Sequence, residues 1–495
     1  MLPSSDTTVV LSVVGALVVV LEVALRVVAL GVIPGNRKPS TGMAWLLLVL
    51  LSPLVGLVAF AFLGSNRVGK RRHARQREIN AAMNERVDAL PRAGADELRP
   101  VVRTVVELNR GLGALPLVDD VDVVLLEDYA DTIAAMTEAV ERAHHHVLVE
   151  FYISAWDDVT APFFEALVAA TERGVSVRLL FDHLGSRGIP GYRGFLRRLR
   201  ATDIDWHPML PIQPLRRRFR RPDLRNHRKL LVVDGLVGFT GSLNLVEPGY
   251  NKPANHRAGR EWVELMCRVE GPLVTELAAV FASDWFFETD ERVPVEGAGR
   301  PAPDPRSAEA VTGVKAQVVP SGPGYDEENN LRMFTTLIYA ATDRISLTSP
   351  YFVPDESLLY AVTTAARRGV AVELFVSEQS DQFMVGHAQA SFYEELLRSG
   401  VVIHLYPAPY VLHSKHFTVD DDVAVIGSSN MDQRSFALNY EVSAMLLGPE
   451  VVSRVRQVED HYRALSRPLT LDEWALRPRR TRYVDNVMRL TSALQ

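Results

Sequence analysis

The sequence predicts an α/β protein made of two like halves that share one site, preceded by an N-terminal pair of membrane helices. Three observations lead there: a polar motif that occurs twice at one offset, a strand–helix–strand pattern that accompanies it, and two long apolar stretches within the first 63 residues. At 495 residues the chain has room for two or three domains. Hydrophobic residues make up 47% and charged residues 23%, which excludes a mainly disordered chain and a collagen-like one. The single cysteine, Cys267, excludes an internal disulfide and a zinc site built on several thiolates.

The apolar stretches come first in the chain. Residues 43–63, MAWLLLVLLSPLVGLVAFAFL, carry no charge. As a helix they cover the roughly 30 Å hydrocarbon core, and a proline is tolerated there. Residues 9–33 are equally apolar apart from Glu22 and Arg26, which lie four apart on one helical face and can pair. Both are expected to span, as a hairpin. The start, MLPSSD, lacks the basic region of a cleaved signal peptide. Six bases follow in SNRVGKRRHARQR (65–77) and place that end on the cytoplasmic side, although Arg37 and Lys38 in the short loop pull weakly the other way. The same collar can hold anionic headgroups. Residues 1–77 carry nine bases and two acids, whereas the remaining 418 residues carry 45 bases and 58 acids. Such an acidic body argues against a nucleic-acid binder.

The body is duplicated. HHVLVEFYIS (145–154), a helical run and RGVSVRLLFD (173–182) are matched by RISLTSPYFV (344–353), a helical run and RGVAVELFV (368–376). Each reads strand, helix, Arg-Gly turn, strand, a βαβ-like unit whose apolar strands suit a helix-covered sheet. More telling, NHRKLLVVDGLVGFTGSLN (226–244) and LHSKHFTVDDDVAVIGSSN (412–430) share six residues at an offset of 186. These are His227, Lys229, Asp234, Gly241, Ser242 and Asn244, and then His413, Lys415, Asp420, Gly427, Ser428 and Asn430. The expected organisation is a membrane anchor at 1–77, a connecting segment at 78–118, a first half at 119–290, a proline-rich linker at 291–312, a second half at 313–480 and a tail at 481–495.

The motif suggests its own chemistry. Residues i and i+2 of a strand face one side, so each His–Lys pair can meet one ligand. The Gly-Ser-x-Asn turn adds a hydroxyl, an amide and accessible backbone N–H groups. Two copies face to face give two imidazoles, two ammoniums, two hydroxyls and two amides, a pocket suited to a phosphate. One histidine can attack phosphorus while the other protonates the leaving oxygen, and the lysines and asparagines stabilise the equatorial oxygens. Glu261 and Glu441, in strand-like runs after each motif, are candidates to hold the second imidazole nitrogen. Asp234 and Asp420 are expected to brace the motifs. A zinc or iron site from the histidines and aspartates is the competing reading, opposed by the lysine beside each histidine. Neither GxGxxG nor GxxxxGK[ST] occurs, so no metal, nucleotide or other cofactor is expected.

The two His-x-Lys-(x)4-Asp-(x)6-Gly-Ser-x-Asn segments resemble the paired HKD motifs of the phospholipase D superfamily. Within it, AWLLLVLLSPLVG (44–56), EFYI (150–153), TSPYFVPDESLL (348–359) and IGSSNMDQRSFALNYE (426–441) are similar to bacterial cardiolipin synthases of the phospholipase D type. The resemblance implies two mixed sheets flanked by helices around one active site. It also implies phosphatidyl transfer from one phosphatidylglycerol to another through a phosphatidyl-histidine, with His227 the usual nucleophile. Catalytic His227, Lys229, Asp234, His413, Lys415 and Asp420 would be supported by Ser242, Asn244, Glu261, Ser428, Asn430 and Glu441. An anionic phospholipid membrane is then the expected partner, with neither nucleic acid nor an obligate protein, and the expected place is the bacterial plasma membrane, multi-pass, with the catalytic part cytoplasmic. The run PLRRRFRRPDLRNH (214–227) adds Arg216, Arg217, Arg218, Arg220, Arg221 and Arg225 as an expected headgroup contact. Hydrolysis to phosphatidic acid, transfer to another alcohol, a non-catalytic scaffold and a nuclease are the alternatives. His416 adds an imidazole without an assigned role.

Overall fold

A computed structural model describes residues 5–35, 39–64, 93–95, 97–113, 115–213, 218–219, 221–295, 301, 305–325 and 327–492. The chain divides into two compact units, residues 1–68 and 69–495. In the first, a 28-residue helix runs Ser5–Val32 and contains the one stretch, Val13–Val32, long and apolar enough to cross a membrane among the described residues. Glu22 and Arg26 do pair on it, at 3.1 Å. The expected second span is not one helix. It breaks at Ser52 into Pro39–Leu51 and Pro53–Leu63, because Pro53 offers no N–H and its ring excludes a straight helical continuation. Gly56 then lies against the Val49 backbone, where a Cβ would collide. The basic collar falls outside the described residues.

In the second unit each half contributes seven main strands. The first half supplies β1 (Val118–Leu126), β2 (His146–Phe151), β3 (Ser176–Asp182), β4 (Asp205–Met209), β5 (Lys229–Val233), β6 (Val237–Gly241) and β7 (Met266–Glu270). The second supplies β8 (Val311–Ser321), β9 (Arg344–Thr348), β10 (Ala371–Ser377), β11 (Val402–Tyr406), β12 (His416–Val419), β13 (Val423–Gly427) and β14 (Asn439–Leu447), with β15 (Arg467–Leu469) at its edge. The order β4-β3-β2-β5-β6-β7-β1 recurs as β11-β10-β9-β12-β13-β14-β8. β2, β3 and β4 are parallel and the others antiparallel, so each half is mixed as expected. The two expected sheets nevertheless run together, because β1 pairs antiparallel with β8.

The predicted helices, Ala161–Glu172 and Glu356–Arg367, connect β2 to β3 and β9 to β10. The repeated Arg-Gly pair after each has two tasks. Gly174 and Gly369 turn the chain at φ 87° and 91°. Arg173 and Arg368 donate to the last carbonyls of the neighbouring helices Tyr129–Glu141 and Asn329–Ala340, satisfying helix ends. One sheet face is covered by the buried helices Pro272–Thr289 and Pro449–Leu465, one from each half, in a single apolar core that includes Leu277, Phe281, Val318, Ala444 and Val455. That core crosses the join. The helix Pro100–Gly111, in the connecting segment, packs on the second half through Val102, Val105 and Val106.

Candidate active site

Each motif is first a hairpin. β5 and β12 are fully buried, with apolar and β-branched side chains that suit central strands. Asp234 and Gly235 form the tight β5–β6 turn, both left-handed, at φ 53° and 66°. The Asp234 carboxylate accepts the N–H groups of His144, His145 and His146 at 2.7–2.8 Å. The triple histidine thus matters through its backbone. Asp420, at φ 48°, accepts the N–H groups of Thr342, Asp343 and Arg344, and Arg99 at 2.8 Å. Burial pushes the Asp420 carboxyl up, but those N–H groups hold it below its ordinary value. Both carboxylates thus hold the backbone at the start of a neighbouring strand.

The two motifs then cross over. Residues Arg225–Asn226 pair in parallel with Asn439–Tyr440 at the start of β14, and the His227 N–H donates to the Tyr440 carbonyl at 2.9 Å. Reciprocally, Val411–Leu412 pair with Trp262–Val263, and the His413 N–H donates to the Val263 carbonyl at 2.8 Å. Each histidine is therefore delivered to a carboxylate of the opposite half. His227 Nδ1 lies 3.0 Å from Glu441 Oε2, and His413 Nδ1 lies 2.7 Å from Glu264 Oε1. The partner expected at Glu261 is thus Glu264. Glu261 supplies only its carbonyl, to the Val411 N–H, because it precedes the paired residues Trp262 and Val263. The signal was present: in WVELM and NYEVSAM the glutamate follows two strand residues and leads into an apolar strand. Each half places a short helix before its glutamate, Pro253–Ala258 and Gln433–Ala437, but the longer segment between Asn244 and Glu264 shifts the spacing and hides the match.

Ser242 donates to Glu264 at 2.6 Å and Ser428 to Glu441 at 2.5 Å, so both hydroxyls hold the acids. Gly241 and Gly427 permit this. A Cβ at either would collide with the Leu265 or Val442 carbonyl. Lys229 and Lys415 are buried, each donating to the carbonyl of the histidine two residues before it. Asn244 is held by Tyr250 at 2.8 Å, whereas the buried Asn430 Oδ1 has no partner among the described residues. The Tyr152 ring packs on His227 and Tyr351 on His413, with centroids 4.9 and 6.3 Å apart. His416 lies fully buried beside Tyr462, 3.9 Å from Glu459, and burial pushes it down to about 3.

Sequence reasoning missed Arg228. It is buried between His227 and Lys229, donates to the Glu441 carbonyl at 3.0 Å and pairs with Asp284. The second motif has Ser414 in its place. Arg225 is also not a headgroup contact. It is 3% exposed and pairs with Asp182 at 3.1 Å, whose other oxygen takes the Asn226 N–H. A sequence count of arginines does not register that one of them points inward. Arg221 pairs with Asp223. Arg216, Arg217 and Arg220 lie outside the described residues, and of Arg218 only the backbone, bridging to Gln213, is described.

The halves differ electrostatically. Burial, opposed by Glu441 and reinforced by Lys229 and Lys415, pushes His227 down to about 4. Burial and then Lys415, Lys229 and His227 lower His413 well below its ordinary value, so the two motifs act on one another. Burial lowers Lys415 to about 8. Glu441 stays below the usual carboxylate range, since His227, Lys229 and Ser428 outweigh its burial. In Glu264 burial wins and raises the carboxyl to about 7.

Residues 136–285 and 334–462 match the family described as cardiolipin synthase, PLD-like domain. The chain is 35% identical over 467 residues to cardiolipin synthase A of Proteus mirabilis, covering 93% of this chain and 94% of that protein. It is 34% identical over 458 residues to cardiolipin synthase A of Yersinia pestis, covering 91% and 92%. The crystal structure of phosphatidylserine synthase from Haemophilus influenzae aligns with a TM-score of 0.58 at 15% identity, over 80% of this chain and 100% of that one, a likeness of fold. With two matched segments, one in each half, and full-length relatives at this identity, the chain belongs to the cardiolipin synthase family with the phospholipase D-like fold.

Proposed function

We propose that the chain is a membrane-bound phosphatidyltransferase, a cardiolipin synthase that joins two phosphatidylglycerols and releases glycerol. The observation that carries the mechanism is the pair of histidine–glutamate contacts made across the halves, alike in geometry and set in different surroundings.

Nδ1 of His227 faces two acceptors, the Ser428 carbonyl at 3.0 Å and the Glu441 carboxylate. It must carry the proton, which leaves Nε2 with a free lone pair. His413 faces Glu264 alone, and burial raises the Glu264 carboxyl to about 7, so that it can hold a proton near neutrality. Such a carboxyl donates to Nδ1 of His413 and leaves the hydrogen on Nε2. Environments that push two like groups apart assign the acid and the nucleophile. His227 is the nucleophile and His413 the acid.

Nε2 of His227 attacks the donor phosphorus. The bond to the glycerol oxygen breaks, and that oxygen takes a proton from His413. The terminal hydroxyl of a second phosphatidylglycerol then returns a proton to His413 and attacks phosphorus, and His227 leaves. Lys229 and Lys415 neutralise the phosphate oxygens, joined by Asn430, whose oxygen is unengaged and whose amide can turn toward the ligand. Asn244 is already committed to Tyr250 and positions the turn. The apolar N-terminal stretches anchor the enzyme as a multi-pass protein, with the basic collar holding the catalytic unit to the cytoplasmic leaflet.

The test is a product assay on phosphatidylglycerol vesicles. Cardiolipin and glycerol in equal amounts are expected. Phosphatidic acid without cardiolipin would replace transfer by hydrolysis.

A further inference from the structure

The first half contains a cavity of about 620 Å³. It sits between the helices His183–Arg187 and Tyr192–Leu199 and the strand Ile212–Gln213. Its volume falls in the range of small-ligand pockets. Ile189, Tyr192, Leu196 and Ile212 give it an apolar side, while Arg187 and Arg193 line it with two exposed guanidiniums. Among the described residues neither has an acidic partner. The nearby Asp182 is spent on Arg225. Two unneutralised guanidiniums beside an apolar wall suit an amphiphilic anion, since the fork-shaped guanidinium binds phosphate bidentately.

The cavity is distinct from the two-histidine seam but adjoins it. Ile189 also belongs to the small apolar cluster of Ile153, Val246, Trp262 and Val411, against which Tyr152, the ring on His227, packs. Ile212 pairs with Phe219 and Gln213 with Arg218.

We propose that this cavity is a second lipid site, holding the phosphate-bearing headgroup of an anionic phospholipid that is not being turned over. Arg187 and Arg193 grip the phosphate, and Ile189, Leu196 and Ile212 face the glycerol backbone and the first methylenes. The inference rests on the reading that the enzyme works at a phospholipid surface. It adds a resident anionic lipid beside the reacting one, so that the first half stays docked while substrates exchange.

The experiment uses the full chain carrying His227→Ala, so that no adduct forms, in phosphatidylcholine nanodiscs containing a photoactivatable phosphatidic acid. Crosslinked peptides are mapped by mass spectrometry. Labelling within residues 183–196 is expected, undisturbed by millimolar inorganic phosphate and absent with a photoactivatable phosphatidylcholine. Adding Arg187→Ala and Arg193→Ala should cut that labelling at least about tenfold, the loss expected for a charge-assisted hydrogen bond, while labelling at the seam persists and reports an intact fold. Labelling at the seam alone would remove the second site and leave the proposed transferase standing. Equal labelling in the double-arginine variant would also overturn the site. Displacement by inorganic phosphate would make it a site for a free anion. No labelling at either place would count against the phospholipid reading itself.

Discussion

His227 and His413 head motifs that share six residues at one spacing, and in the proposed mechanism a single proton distinguishes them. Removing either ring should lower turnover by about ten-thousandfold or more in a phosphatidylglycerol assay, because each acts on the reacting atoms. Their glutamates separate the roles. Glu264→Gln should cost about a hundredfold or more in kcat, since it removes the proton donor behind the acid, whereas Glu261→Gln should stay within a few-fold of the parent. The pH profile follows from the same groups. A protonated His227 has no lone pair, so kcat/KM should rise through about pH 4. It should fall from about pH 7, as Glu264 loses its proton, and again near 8, as Lys415 loses its charge. Glu264→Gln should lower the plateau and erase the descent near 7, leaving that near 8. A descent near 7 that survives in this variant would assign it elsewhere. The six motif residues could be read in the sequence because they recur at one spacing. Glu264 carried a local signal but sat at a different distance from its motif than Glu441, so the repeat spacing pointed past it.

Among the elements, the hairpins set by Asp234 and Asp420 hold the motifs in register. Asp420→Asn should destabilise the fold by about 2–4 kcal/mol in a thermal or denaturant melt, through weakened bonds to Thr342, Asp343 and Arg344 and the lost Arg99 pair. The depressed Asp420 carboxyl contributes fully above the ordinary carboxylate range. That contribution is lost as pH falls through its lowered folded value, so the difference between parent and variant should shrink in acid. Gly427→Ala should be at least as damaging to activity, since the Cβ meets the Val442 carbonyl and moves Ser428 off Glu441. Strands, helices and Arg-Gly turns were legible from periodicity and from their repetition. The break at Ser52 was harder to see, because a proline alone does not say whether a membrane helix bends or stops. The inward turn of Arg225 depends on Asp182, which lies 43 residues away.

At the scale of the molecule, the site belongs to neither half. His227 takes its carboxylate from β14, and His413 takes its own from the segment before β7. One apolar core and one continuous sheet hold the two together. A seam of this kind follows from duplication: like edges β1 and β8 meet antiparallel, and a pseudo-two-fold exchange of motif and acid results. The sequence announced the duplication, but not the exchange, since nothing local to either motif says which half holds its partner. The most direct test of the account is rapid quenching of the enzyme during turnover of labelled phosphatidylglycerol, followed by mass spectrometry of the trapped phosphatidyl adduct. The account predicts a phosphoramidate on His227, with none in His227→Ala. An adduct on His413 would reverse the assigned roles, and full turnover with no adduct on either histidine would contradict the shared two-histidine site.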